Sequence, residues 1–104
     1  METKPSLGKK LRTLRQARNE PLRVIAAMID IDASLLSKIE HSERLPTEQQ
    51  LEKLAKYFNI SLQELTVIAI AEKIITTYPA DTITLQALKI AEAQINSYLG
   101  EKNG

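Results

Sequence analysis

From Pro46 to Glu64 the chain reads PTEQQLEKLAKYFNISLQE, and within that stretch it twice gives the signal that opens a helix. Thr47 is followed three residues later by Gln50, and Ser61 by Glu64. Each pair lets a hydroxyl and a carboxamide or carboxylate satisfy the amides that a first turn leaves unpaired. A helix held between two such starts is short, and Leu51, Leu54 and Phe58 fall on one side of it. A chain punctuated this closely packs as several short helices side by side.

The remaining residues obey the same grammar. Leu7, Leu11 and Leu14 recur at helical spacing and predict a first helix over roughly 7–18. Pro21 suits the opening turn of a second, where a missing amide costs nothing, and Val24, Ile25, Met28 and Ile29 are the expected buried stripe. A tight turn is expected at Asp30-Ile31. Asp32 is a good N-cap for a third helix ending near Ser42. The fifth helix runs from Ser61 to about Thr77 and is halted by Tyr78-Pro79. Asp81 or Thr84 starts a sixth, carrying Leu88, Ala91, Ile95 and Leu99, with Gly100 as its stop. No stretch alternates as a strand would, and nothing repeats.

Composition agrees with a globular, all-α chain: 43% of residues are hydrophobic and 26% charged, with three tyrosines, one phenylalanine and four prolines. The absence of cysteine excludes disulfides and cysteine-ligated metals and suits a reducing cytosol. The polar, cationic start METKPSLGKKLRTLR lacks the apolar stretch of a signal peptide, and the greasiest run, Leu65 to Ile75, is too short to span a bilayer. A soluble, cytoplasmic protein is expected, with no membrane partner.

The net charge of +1 hides a segregation. Residues 1–46 carry nine Lys/Arg against six Asp/Glu, and residues 47–104 five against seven. Among residues 1–18, Lys4, Lys9, Lys10, Arg12, Arg15 and Arg18 face only Glu2. Such an end suits a polyanion, although ordinary solvated helix faces carry charge runs of the same kind.

The third helix, DASLLSKIEHSER, carries the sharpest signal. On a helical wheel Leu35, Leu36 and Ile39 share one arc, while Ser34, Ser37 and His41 occupy the opposite one, with Ala33 and Lys38 at its borders. Small side chains let a helix approach the floor of a major groove, hydroxyls exchange hydrogen bonds with base edges, and lysine reaches guanine O6 or N7 or a phosphate. A surface helix with no partner would also show serine and lysine, so its neighbours decide. A basic first helix, a short second, a tight turn and a small-faced third helix follow the order of a helix-turn-helix.

At this point LGKKLRTLR, VIAAMIDIDASLLSKIEHSERLP and LEKLAKYFNISLQEL together resemble the phage repressor and Cro-like (XRE-type) DNA-binding family. The resemblance covers roughly residues 7–66. It rests on landmarks that keep their spacing: Leu14-Arg15, Ala26, Leu36-Ser37-Lys38-Ile39-Glu40, Glu43-Arg44 with Pro46, and Leu54-Ala55. It implies a five-helix lambda-repressor-like domain over residues 1–66 and a C-terminal helical extension over 67–104. It also implies that Ala33, Ser34, Ser37 and Lys38 face bases, that Arg44 approaches the backbone or minor groove, and that Arg15 and Glu40 form a partly buried structural ion pair. The chain departs from the pattern in three places. Leu22 stands where the family usually has a phosphate-binding glutamine, and Arg23 offers a substitute one position on. Asp30 replaces the usual turn glycine, which a short polar side chain tolerates. Ala33 removes one hydrogen-bonding group, leaving a thymine methyl or DNA shape to be read there.

His41 is the only histidine. With no cysteine beside it, a metal site is not expected, and a phosphate contact or plain solvation fits its exposed arc better. No glycine-rich phosphate loop or paired nucleophile and base is present, so neither catalysis nor a cofactor or small-molecule ligand is expected. The run LTVIAIAEKII is apolar around most of its circumference, more than one small domain hides. The two last helices are therefore expected to join a second copy, unless they close on each other as a hairpin. The expected protein is a homodimeric DNA-binding regulator acting on palindromic sites, a repressor or a restriction–modification controller. The rival is a protein-interaction module, such as an antitoxin or adaptor, whose tail binds another protein.

Overall fold

Ser6 leaves the extended backbone with its hydroxyl accepting from the Lys9 amide, and α1 (Leu7–Ala17) starts behind it. In the computed structural model, which describes residues 6–103, five more helices follow: α2 (Leu22–Met28), α3 (Ala33–Glu40), α4 (Glu48–Phe58), α5 (Leu62–Thr77) and α6 (Thr82–Asn103). The fold is all-α among the described residues. Lys4 and Glu2, part of the expected basic end, lie outside them.

The local signals are realised one by one. Pro21 is the N-cap of α2. Asp32 accepts from the Leu35 amide at 2.7 Å and opens α3. Thr47 and Gln50 make both halves of the capping box, at 3.1 and 2.9 Å. The Ser61 hydroxyl accepts from the Glu64 amide at 3.1 Å, and Asp81 caps α6 through the Thr84 amide at 2.9 Å. Helix ends are equally regular. After each of α1 to α4 a residue with positive φ lets two successive amides bond back to carbonyls of the last turn. Those residues are Asn19, Asp30, Ser42 and Asn59, none of them glycine. A short polar side chain replaces glycine at all four left-handed positions.

Three expectations need correction. Val24 and Met28 do not lie in the buried stripe: Met28 is 62% exposed, and Ala26 takes the inward place beside Ile25 and Ile29. The seven-residue α2 has so little length that a one-position rotation exchanges its faces. Second, α3 ends at Glu40 with His41 as its C-cap, because Ser42 turns left-handed. Third, α6 continues through Gly100 to Asn103, so that glycine is no stop.

Two compact units emerge, dividing between Ile74 and Ile75 rather than near residue 66. The boundary moves because α5 contributes Leu65, Ala69 and Glu72 to the interior of the first unit. That interior gathers Leu7, Leu11, Ile25, Ile29, Leu36, Ile39, Leu54 and Leu65, all essentially without exposure. Each such aliphatic side chain contributes about 1.5–3 kcal/mol by leaving water. The second unit is dominated by α6, whose large apolar residues Ile83, Leu85, Leu88, Ile90, Ile95, Tyr98 and Leu99 are exposed.

Candidate nucleic-acid interface

α3 is held from behind. Leu36 and Ile39 are buried in the core, and both α1 and α2 pack against the helix. The approach of α1 is very close: a Cβ on Gly8 would lie 2.4 Å from the carbonyl oxygens of both Ile39 and Glu40. Glycine alone allows α1 to rest on the last turn of α3 at that distance.

The second fastening is electrostatic. Arg15 Nε donates to Glu40 Oε2 at 2.7 Å and its Nη2 to Glu40 Oε1 at 3.0 Å, while Nη1 donates to the Glu20 carbonyl at 3.1 Å. The Glu40 side chain is 4% exposed. The hydrogen bond to Glu40 holds the Arg15 guanidinium above its ordinary value, against the opposing effect of burial. This is the ion pair that the resemblance implied, and it is a bidentate fork of the strong kind.

With its rear fixed, α3 turns Ser34 and Lys38 outward, and His41 follows them along the same line one turn on. Ala33 and Ser37 are half-buried, and Ala33 packs against the edge of the core. Arg44 is exposed in the loop after α3, and Arg23 is exposed in the first turn of α2. Of the seven residues expected to meet DNA, five are therefore exposed and two half-buried.

The basic helix α1 is less available than its composition suggests. Lys10 pairs with Glu64 at 2.6 Å, Arg15 with Glu40, and Arg18 donates to the Tyr57 carbonyl at 2.9 Å with its guanidinium 4.8 Å from the Tyr57 ring. Lys9 and Arg12 remain exposed. Tyr57 in turn donates to Glu20, a bond that holds its hydroxyl above the ordinary tyrosine range, with burial acting in the same direction.

One functional support was invisible in the sequence. Glu72, 6% exposed, accepts the Leu7 amide at 3.0 Å. A carboxylate from α5 thus caps the start of α1 and meets the positive end of its dipole. Among the described residues no group of three His, Cys, Asp or Glu is placed to hold a metal ion. Nor, among those residues, is any helix long and apolar enough to cross a membrane.

Comparison with known proteins bears on this geometry. A helix-turn-helix family model matches residues 11–65, more than half of the 104 residues. The chain belongs to the XRE-type helix-turn-helix family. In helix-turn-helix terms α2 and α3 are the motif, and α3 is the helix in the groove-reading position. Two solved structures of the clp gene regulator ClgR from Corynebacterium glutamicum share the fold. One has TM-score 0.53 at 21% identity, covering 64% of this chain and 86% of that one. The other has TM-score 0.55 at 19% identity, covering 90% and 89%. The structure of a SinR protein/SinI protein complex aligns with TM-score 0.53 at 20% identity over 93% of this chain and 94% of the other. At such identities these likenesses concern the fold alone. No curated protein matches the chain.

Proposed function

We propose that this helix-turn-helix protein is a non-enzymatic, cytoplasmic transcriptional regulator that binds palindromic operators as a homodimer, either as a repressor or as the controller of a restriction–modification system. The observation that carries the reading is the outward line of Ser34, Lys38 and His41 on a helix fixed rigidly from behind, with the cations Arg23 in α2 and Arg44 in the following loop also exposed. The likeness to ClgR, a clp gene regulator, supports a regulatory role. The alanine variants test it. Lys38→Ala and Ser34→Ala are each expected to weaken binding to a selected operator by about 1–3 kcal/mol and to relax base preference, whereas Arg44→Ala weakens all duplexes alike. Unchanged affinity and preference in both variants of α3 would remove this face from the account.

Dimerisation is supported by the exposed apolar residues of α6, which are 39–74% exposed in a single chain. A soluble helix that is apolar on most sides is normally covered. Two recognition helices about 34 Å apart then match successive major-groove faces. Leu88→Glu together with Ile95→Glu is expected to shift the protein from dimer to monomer in sedimentation equilibrium without loss of helicity, and to weaken binding to a palindrome by about tenfold or more while a half-site is bound as before. A monomeric wild type contradicts the proposal.

A partner protein on the same helices is the second reading, favoured by the exposed α6 and by SinR, which is in a complex with SinI. Salt separates the two. Operator binding should fall steeply as salt rises, and an apolar protein interface should scarcely respond.

A further inference from the structure

His41, the only histidine, stands where the recognition helix ends. Its Nδ1 lies 2.7 Å from the Ser37 carbonyl oxygen, with the Ser37 hydroxyl at 3.5 Å. A carbonyl can only accept, so Nδ1 carries a hydrogen in both protonation states of the ring and the exchangeable site is Nε2. Nε2 occupies the opposite edge of an exposed ring. In the neutral imidazole it is a bare acceptor and repels a phosphate oxygen; in the imidazolium it donates to one.

We propose that His41 is a proton-linked DNA contact, in which phosphate is bound by Nε2–H of the imidazolium and each bound protomer takes up a proton at this ring. The inference rests on the DNA-binding reading of α3 and adds a regulation to it. Charged groups lie on α3, in the loop after it and on the elements packed against it. Lys38 lies one turn back on α3, and Glu43 and Arg44 follow in the loop. The elements packed against α3 are α1 and α2. α1 brings Lys9, Arg12 and Arg15, the last tied to Glu40, and α2 brings Arg23, with Asp30 beyond it paired to Lys53. A duplex docked on the exposed side of α3 brings phosphate to the exposed ring.

The sign follows directly. The protonated ring binds more tightly, so affinity is greatest at low pH and declines as pH rises and the proton leaves. The probe is a duplex selected by the full-length protein from a random-sequence library. Its affinity is measured from about pH 6 to about pH 8 at constant ionic strength, across the range where imidazole alone among unperturbed side chains changes charge. For the wild type a fall of about 3- to 10-fold is expected, with proton uptake in calorimetry carried out in two buffers of unlike ionisation enthalpy. His41→Gln keeps the size and a donor but removes the only titrating ring. It should bind with flat affinity across the range and take up no proton. Parallel pH profiles for wild type and variant, or a flat wild-type profile with firm DNA binding, overturn this inference alone. A wild type that binds no duplex at any pH overturns the DNA reading and this inference with it.

Discussion

An alanine at Gly8 is expected to destabilise the first compact unit by about 3 kcal/mol, the upper end of what an added methyl group in a closed interior does. The reason is what the methyl meets. Its carbon would lie 2.4 Å from two carbonyl oxygens, those of Ile39 and Glu40, which belong to backbone and have no rotamer to change. Relief requires α1 to back away from α3 or the last turn of α3 to unwind. Either movement disturbs the Arg15 to Glu40 fork and the seat of His41, so operator affinity should fall together with stability. Gly100→Ala is the control: nothing lies within 4 Å of its added carbon, and within α6 it should gain about 0.5–1 kcal/mol by helix propensity. Urea titrations of the two variants compare the effects directly. A Gly8→Ala protein with an unchanged midpoint would mean that α1 does not approach α3 as described.

That contact also marks where sequence reasoning stops. Helix starts were legible because capping is local: Asp32, Thr47 with Gln50, and Asp81 act on amides three residues away, and all do so in the fold. Of the helix ends, Asp30 alone was legible as a left-handed turn. Asn19, Ser42 and Asn59 serve the same purpose, and short polar residues carry no mark that separates a turn from a surface. The outward face of α3 followed from the wheel because Leu36 and Ile39 fix which side of the helix is inward. The depth of each residue on that face did not follow. Ala33 is set back by its packing against the core edge, a tertiary fact, and Ser37 is half-buried as well. Glu72 is the clearest case. Within LTVIAIAEKII it reads as a polar interruption on an apolar helix, yet it is among the most buried positions of α5 because the Leu7 amide, 65 residues away in sequence, needs an acceptor there. Spacing along one helix carries no information about which foreign helix end will arrive beside it. The basic residues of α1 teach the same lesson in reverse: Lys10 and Arg18 looked available to a polyanion and are engaged within the fold, beside Arg15, whose pairing with Glu40 the resemblance had implied.

Removing the Arg15 guanidinium should have an effect as large, and its logic is separable from packing. Arg15→Met preserves much of the side-chain length but leaves the Glu40 carboxylate without its two charge-assisted bonds, at a site where its side chain is 4% exposed. An uncompensated buried charge typically costs about 3–5 kcal/mol. A unit of this size has only about 5 kcal/mol of total stability, so the variant should be largely unfolded near physiological temperature. The single change cannot show whether the pair itself stabilises the fold, because two ions taken from water regain little more than their desolvation cost. The double variant Arg15→Met, Glu40→Met decides. It removes both charges and fills the space with apolar atoms, and it is expected to recover most of the lost stability in urea titration. If the double variant is as unstable as Arg15→Met, the loss lies elsewhere, the bond from Arg15 Nη1 to the Glu20 carbonyl being the first place to look. Recovered stability with weakened operator binding would assign the fork its role: it sets the angle at which α1 presents α3, and so the line along which Ser34, Lys38 and His41 meet the groove.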